Sequence, residues 1–159
     1  MTIAARLQEL ADCLCAQIAQ DGLPDLCFCG VVPGEAAAAD YISDSCKHCA
    51  MAWVRLVSIY PSAGVGVADV TIGNCSKELG YDVEIGVMRC YALGDAHGNP
   101  PAPADVREAA ALAALDAESM FKAVACCPAI SSKDYVMGNY QPLGPEGGVV
   151  GGVWTLSMI

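Results

Sequence analysis

Basic residues are scarce in this chain. Eight Lys and Arg stand against 18 Asp and Glu, for a net charge of −10. Proteins that bind nucleic acid draw affinity from cations that neutralise phosphates and release counterions. With no Lys/Arg cluster, the chain is not expected to bind DNA or RNA through its own surface. Aromatic residues are few as well, with two Phe and two Trp, so the core is expected to be built from Leu, Val, Ile and Ala. The only imidazoles are His48 and His97, in a Cys-rich turn and a Gly-Pro loop, and neither belongs to a Ser-His-Asp or Cys-His arrangement. No G-x-x-x-x-G-K-[ST] phosphate loop and no strand–G-x-G-x-x-G–helix unit is present. Catalysis is therefore not expected, and neither is a cofactor. No apolar run approaches the ~20 residues of a membrane span, so no membrane association is expected. The opening residues lack a basic region followed by an apolar core, and Glu9 and Asp12 interrupt any candidate, so synthesis in a cytoplasm is expected.

The chain has 159 residues, a length that fits one domain and suffices for a real core. Apolar side chains at Ile3, Leu7, Leu10, Leu14 and Ile18 recur at helical spacing, and Gly22 with Pro24 supplies a stop. Residues 26–32 and 50–60 read as strands, the second ended by Pro61. Residues 62–80, rich in Gly, Ser and Ala, read as a long loop, and such loops are usually functional or mobile. Residues 81–92 alternate as a half-buried strand: Tyr81, Val83, Ile85 and Val87 on one face, Asp82, Glu84, Gly86 and Met88 on the other. After a proline-rich turn, Asp105 and Glu108 form a D-x-x-E capping box opening a second helix. Its stripe runs through Val106, Ala110, Ala113, Ala117, Met120, Phe121 and Val124 until Pro128 bars continuation. Residues 135–141 and 149–159 read as two final strands, joined by a turn-rich stretch at 142–148. The order α-β-β-β-α-β-β predicts an α+β fold, a small mostly antiparallel sheet with two helices on one face.

Cysteine is the anomaly, with ten in the chain. Cys27-x-Cys29 with Cys46-Lys47-His48-Cys49 could hold a zinc ion: the C-x-x-C half is an acceptable knuckle, the C-x-C half a less common spacing. Disulfides among those four, or between Cys75 and Cys90, would need oxidation outside a reducing cytoplasm. The plainest expectation is that most are small buried hydrophobes, and Cys13, Cys15, Cys126 and Cys127 at helix positions suit it. A redox enzyme using Cys46 or Cys49 is disfavoured, because no thioredoxin-like βαβ pattern surrounds them.

Three stretches carry a resemblance: Cys49-Ala50-Met51-Ala52-Trp53-Val54-Arg55-Leu56, the strand Tyr81-Asp82-Val83-Glu84-Ile85-Gly86-Val87-Met88-Arg89-Cys90, and the ending from Gly138 to Ile159. With their order of elements, they make the chain resemble the tail terminator proteins of long-tailed bacteriophages, particularly phages of actinobacteria. The resemblance spans nearly the whole chain. It implies a homohexameric ring that caps the tail tube, docks to the head-side connector or stopper, and forms part of the channel through which DNA leaves. The protein would be assembled in the host cytoplasm and reside in the virion, at the head-proximal end of the tail. An acidic lumen would let DNA slide without specific binding, and Asp69, Glu78, Asp82 and Glu84 are the channel-facing candidates. The alternatives are another head–tail connector component, a stopper or adaptor, and a zinc-binding interaction module built on Cys27, Cys29, Cys46 and Cys49.

Overall fold

A computed structural model describes residues 2–34, 50–69, 78–91, 94, 97–146 and 148–159. Helix α1 spans Ile3–Gln20, opened by Thr2, whose hydroxyl accepts a hydrogen bond from the Ala5 amide. Its inward face is Leu7, Leu10, Ala11, Leu14 and Ile18. That is the stripe legible in the sequence, with Ile3 only partly covered. The strands are β1 Phe28–Val31, β2 Ala50–Gly64, β3 Val67–Ala68, β4 Glu78–Cys90, β5 Tyr135–Glu146 and β6 Val149–Met158, and helix α2 spans Pro103–Ala125. The sheet order is β1-β2-β4-β6-β5, with β3 beside the far end of β2. Every pairing is antiparallel except β1 with β2. The fold is α+β, as expected, with one added two-residue strand.

Alternation along the strands sorts side chains to two faces. Val54, Val83, Ile85, Val87 and Leu156 lie on one face and join Leu10, Leu14, Met120 and Val124 in the main core, so both helices pack there. The opposite face holds a smaller cluster of Met51, Trp53, Val32 and Val153. Gly86 faces Trp53 across the β2–β4 ladder. A Cβ at Gly86 would collide with the indole, so glycine is what lets the ring lie flat on β4.

Several local expectations are corrected. Strand β2 does not end at Pro61 but runs on to Gly64, with Pro61 opposite Leu79 and a bulge at Val57. Strand β4 starts at Glu78. The expected 62–80 loop is therefore strand at 62–64, 67–68 and 78–80, and residues 70–77 lie outside the described set. The turn between β2 and β3 is tight, with Gly66 at φ +69, a backbone conformation glycine adopts at little cost. Strand β5 continues through Pro142 to Glu146, beyond the expected 141, because an outermost strand tolerates proline. Asp105 does not cap α2. The N-cap is Ala102 and Pro103 begins the helix, which leaves Asp105 inside the first turn. The buried face of α2 is Asp116, Ser119, Met120, Ala123 and Val124, whereas Val106 and Phe121 from the expected stripe are exposed.

Candidate functional site

Two of the acidic residues singled out from sequence sit two apart on the face of β4 away from the helices. Asp82 lies opposite Ser58 on β2 and Ser157 on β6. Its carboxylate accepts hydrogen bonds from Ser58 Oγ at 2.7 Å, Ser157 Oγ at 2.8 Å and the Tyr60 hydroxyl at 3.3 Å. Glu84 is held differently. Arg55, its cross-strand neighbour, donates from Nε at 2.6 Å and Nη2 at 2.8 Å, and Trp53 Nε1 donates at 3.1 Å. The hydrogen bonds to Glu84 outweigh burial and hold the Arg55 guanidinium above its ordinary range. Glu84 is thus a paired carboxylate that locks Trp53 to the sheet, while Asp82 sits in a cage of three hydroxyls. Burial, with the Asp82 charge second, pushes the Tyr60 phenol up.

The other two lie at the distal end of the β2–β4 ladder. Glu78 is exposed, faces Ser62, and makes no ion pair among the described residues. The Asp69 amide donates to the Pro61 carbonyl oxygen at 2.7 Å, anchoring the end of β3 to β2. The structure therefore spreads the four acids along roughly 20 Å of ladder, at 3.3 Å per residue, and gathers no cluster of them.

Beside Glu78 a cleft of about 550 Å³ opens between the start of α1, the start of β4 and the end of the chain. Ile3, Leu79 and Ile159 supply apolar walls, and Arg6 with Asp134 forms one rim, at 3.3 Å. Tyr81 lines it too. This tyrosine is 2% exposed, and its hydroxyl has no hydrogen-bond partner among the described residues. Burial raises its phenol pKa, Arg6 lowers it and Asp134 raises it, with the net shift upward. An orphaned buried hydroxyl costs about 1–3 kcal/mol.

The cysteine expectations change most. Cys13 is bonded to Cys127 and Cys15 to Cys29, and Cys27 and Cys90 are also disulfide-bonded. Cys13, Cys15 and Cys127 are therefore not buried free thiols. Cys126 is a thiol, but an exposed one. Of the zinc candidates Cys27, Cys29, Cys46 and Cys49, Cys29 is bonded to Cys15 and Cys27 is also disulfide-bonded, while Cys46 and Cys49 lie outside the described residues, as does His48. Among the described residues no group of His, Cys, Asp and Glu is arranged to hold a metal. His97 is exposed, in a turn.

Sequence reasoning missed a buried ion pair. Arg89 on β4 donates to both oxygens of Asp116 on α2, each at 2.7 Å, and from Nη1 to the Pro24 carbonyl oxygen at 3.1 Å. The side chains are 6% and 2% exposed. The signal for it was an arginine on the buried face of an apolar strand and an aspartate within a helix stripe, two oddities that fit each other. Compared with known proteins, the chain matches no family model and no curated sequence.

Proposed function

We propose that this chain is a structural virion protein, a tail terminator whose copies close into a homohexameric ring. The ring caps the tail tube and joins it to the head-side connector or stopper, forming part of the DNA exit channel. The observation that carries this is a pair of unlike apolar surfaces left open on an acidic molecule. Ile59 and Leu79, each about half exposed, project where the β2–β4 ladder outruns α1; Val106 and Leu115 stand exposed on α2. A ring needs one patch to meet a different patch on its neighbour, and two such patches are present.

Within the ring Asp69 and Asp82 face the channel, whereas Arg55 offsets Glu84 and Glu78 lies at the junction between copies. Like-charged walls hold phosphates off, so DNA passes without specific binding. The disulfides suit a particle that forms in a reducing cytoplasm and oxidises after release. Nothing in this role calls for catalysis, a cofactor or a membrane, and among the described residues no helix is long and apolar enough to cross one. Quantitative mass spectrometry of assembled particles, with antibody labelling of the protein, provides the test. About six copies at the junction of head and tail are expected. Labelling on the head side of the connector would reassign the chain as a stopper or adaptor, and absence from particles would end the proposal.

A further inference from the structure

Two features at opposite ends of the molecule fit one another. The cleft beside Glu78 has apolar walls and, in Glu78, one exposed carboxylate without an ion pair among the described residues. At the other end, the first half of α2 is barely covered by the rest of the chain. Val106, Ala110 and Ala114 form one row at i, i+4 and i+8, and Arg107, Ala111 and Leu115 form the next; all six are exposed. The only charge in these two rows is Arg107. Among the described cations, Arg6, Arg55, Arg89 and Lys122 are committed to ion pairs, while Arg107 and Lys133 make none.

The two features cannot meet within one chain. Glu78 begins β4 and Cys90 ends it, about 40 Å away at 3.3 Å per residue. Ala109, Leu112 and Ala113 of α2 sit against Arg89 and Cys90 at the far end. A contact between them therefore joins two copies, head to tail.

We propose that the cleft receives the first half of α2 from a second copy of this chain, with Arg107 of the incoming helix reaching Glu78. The alanines let the helix backbone approach closely, and Leu115 packs on the wall made by Ile3, Leu79 and Ile159. A guanidinium carries its N–H donors in a planar fork that suits both oxygens of a carboxylate. The neighbouring Arg6 does not repel it strongly, because Asp134 offsets its charge. This contact presupposes the ring-forming role proposed above and names its two surfaces.

Sedimentation velocity on the full chain tests it with Glu78→Lys, Arg107→Glu and their equimolar mixture. Both positions are exposed, so neither change threatens folding. Each single variant sets like charges face to face and should weaken self-association by at least about tenfold. In the mixture the lysine introduced in one variant meets the glutamate introduced in the other. The unchanged Glu78 and Arg107 meet at alternate junctions, so association should return. Single variants that assemble like the wild type, or a mixture that stays dissociated, would overturn the contact while leaving a ring built through other surfaces intact. A wild type without self-association at the highest attainable concentration would overturn it as well. The location of the protein in particles decides the terminator role independently of all three outcomes.

Discussion

Arg89 and Asp116 illustrate what a single residue can cost in this fold. Their bidentate pair is almost fully enclosed between β4 and α2. Removing one partner strands the other charge in a low-dielectric interior, which costs about 3–5 kcal/mol, whereas replacing both by apolar groups can be neutral or stabilising. Asp116→Ala should therefore lower the urea midpoint sharply, and Arg89→Met with Asp116→Leu should recover most of the loss. A double variant as unstable as the single one would mean the pair contributes more than its own desolvation cost. Gly86 is a second point of this kind. Gly86→Ala forces the Trp53 ring off the strand and loosens its hydrogen bond to Glu84. A loss of about 1–3 kcal/mol is expected, with a red shift in tryptophan emission as the indole meets water. The tyrosines supply a pH test at the same scale. Burial raises the phenol pKa of Tyr60, Tyr81 and Tyr140 above the ordinary value of 10.0, assisted at Tyr60 and Tyr140 by Asp82 and Asp116. A group with a raised folded pKa contributes stability that is whole below its unfolded pKa and is lost as pH rises through the folded one. Thermal stability should hold at neutral pH and fall beyond about pH 10. The phenolate absorbance removed by Tyr60→Phe, Tyr81→Phe or Tyr140→Phe should be absorbance that appears above the ordinary phenol range. An ordinary phenol titration for all three would refute it.

At the scale of elements, patterns that repeat were legible and patterns set by neighbours were not. The α1 stripe and the Tyr81, Val83, Ile85, Val87 alternation stand as read, since periodicity is fixed by the backbone itself. Strand β2 outran Pro61 and α2 ignored Asp105, because pairing partners and Pro103 decided those ends. The α2 stripe drawn from spacing runs through Val106 and Ala110, both exposed, for a related reason: an alanine stripe fits a covered face and a bare one equally well. The disulfides were the least legible, since which cysteines pair depends on the packing of α1 and not on spacing. Their sequence separations of 114 and 14 differ greatly. In the chain-entropy account the longer loop restrains the unfolded chain more, by about 5 against 3 kcal/mol. Cys13→Ala with Cys127→Ala should thus destabilise more than Cys15→Ala with Cys29→Ala under denaturant. The reverse order would show that native packing around α1, not loop closure, sets the contribution.

For the whole molecule the strongest influence is charge. Most described cations are spent on internal pairs, so the outer surface is left acidic, and the chain as a whole carries −10. Two such charges at a separation of about 40 Å in water repel by roughly 10 kcal/mol before screening. Salt at about 0.15 M has a Debye length of only ~8 Å and removes most of that repulsion. The one exposed pair proposed at the interface, Glu78 with Arg107, is worth at most about 1 kcal/mol and loses only part of it to the same salt. Repulsion therefore wins at low ionic strength and apolar contact wins once it is screened. Self-association measured by sedimentation should strengthen as salt rises from about 10 mM to 0.15 M, opposite in sign to the dependence that phosphate-binding proteins show. Double-stranded DNA added to the protein should stay unretained across that range. Association that weakens steadily with added salt would place attraction between charges, not burial of Leu79 and Leu115, at the centre of assembly.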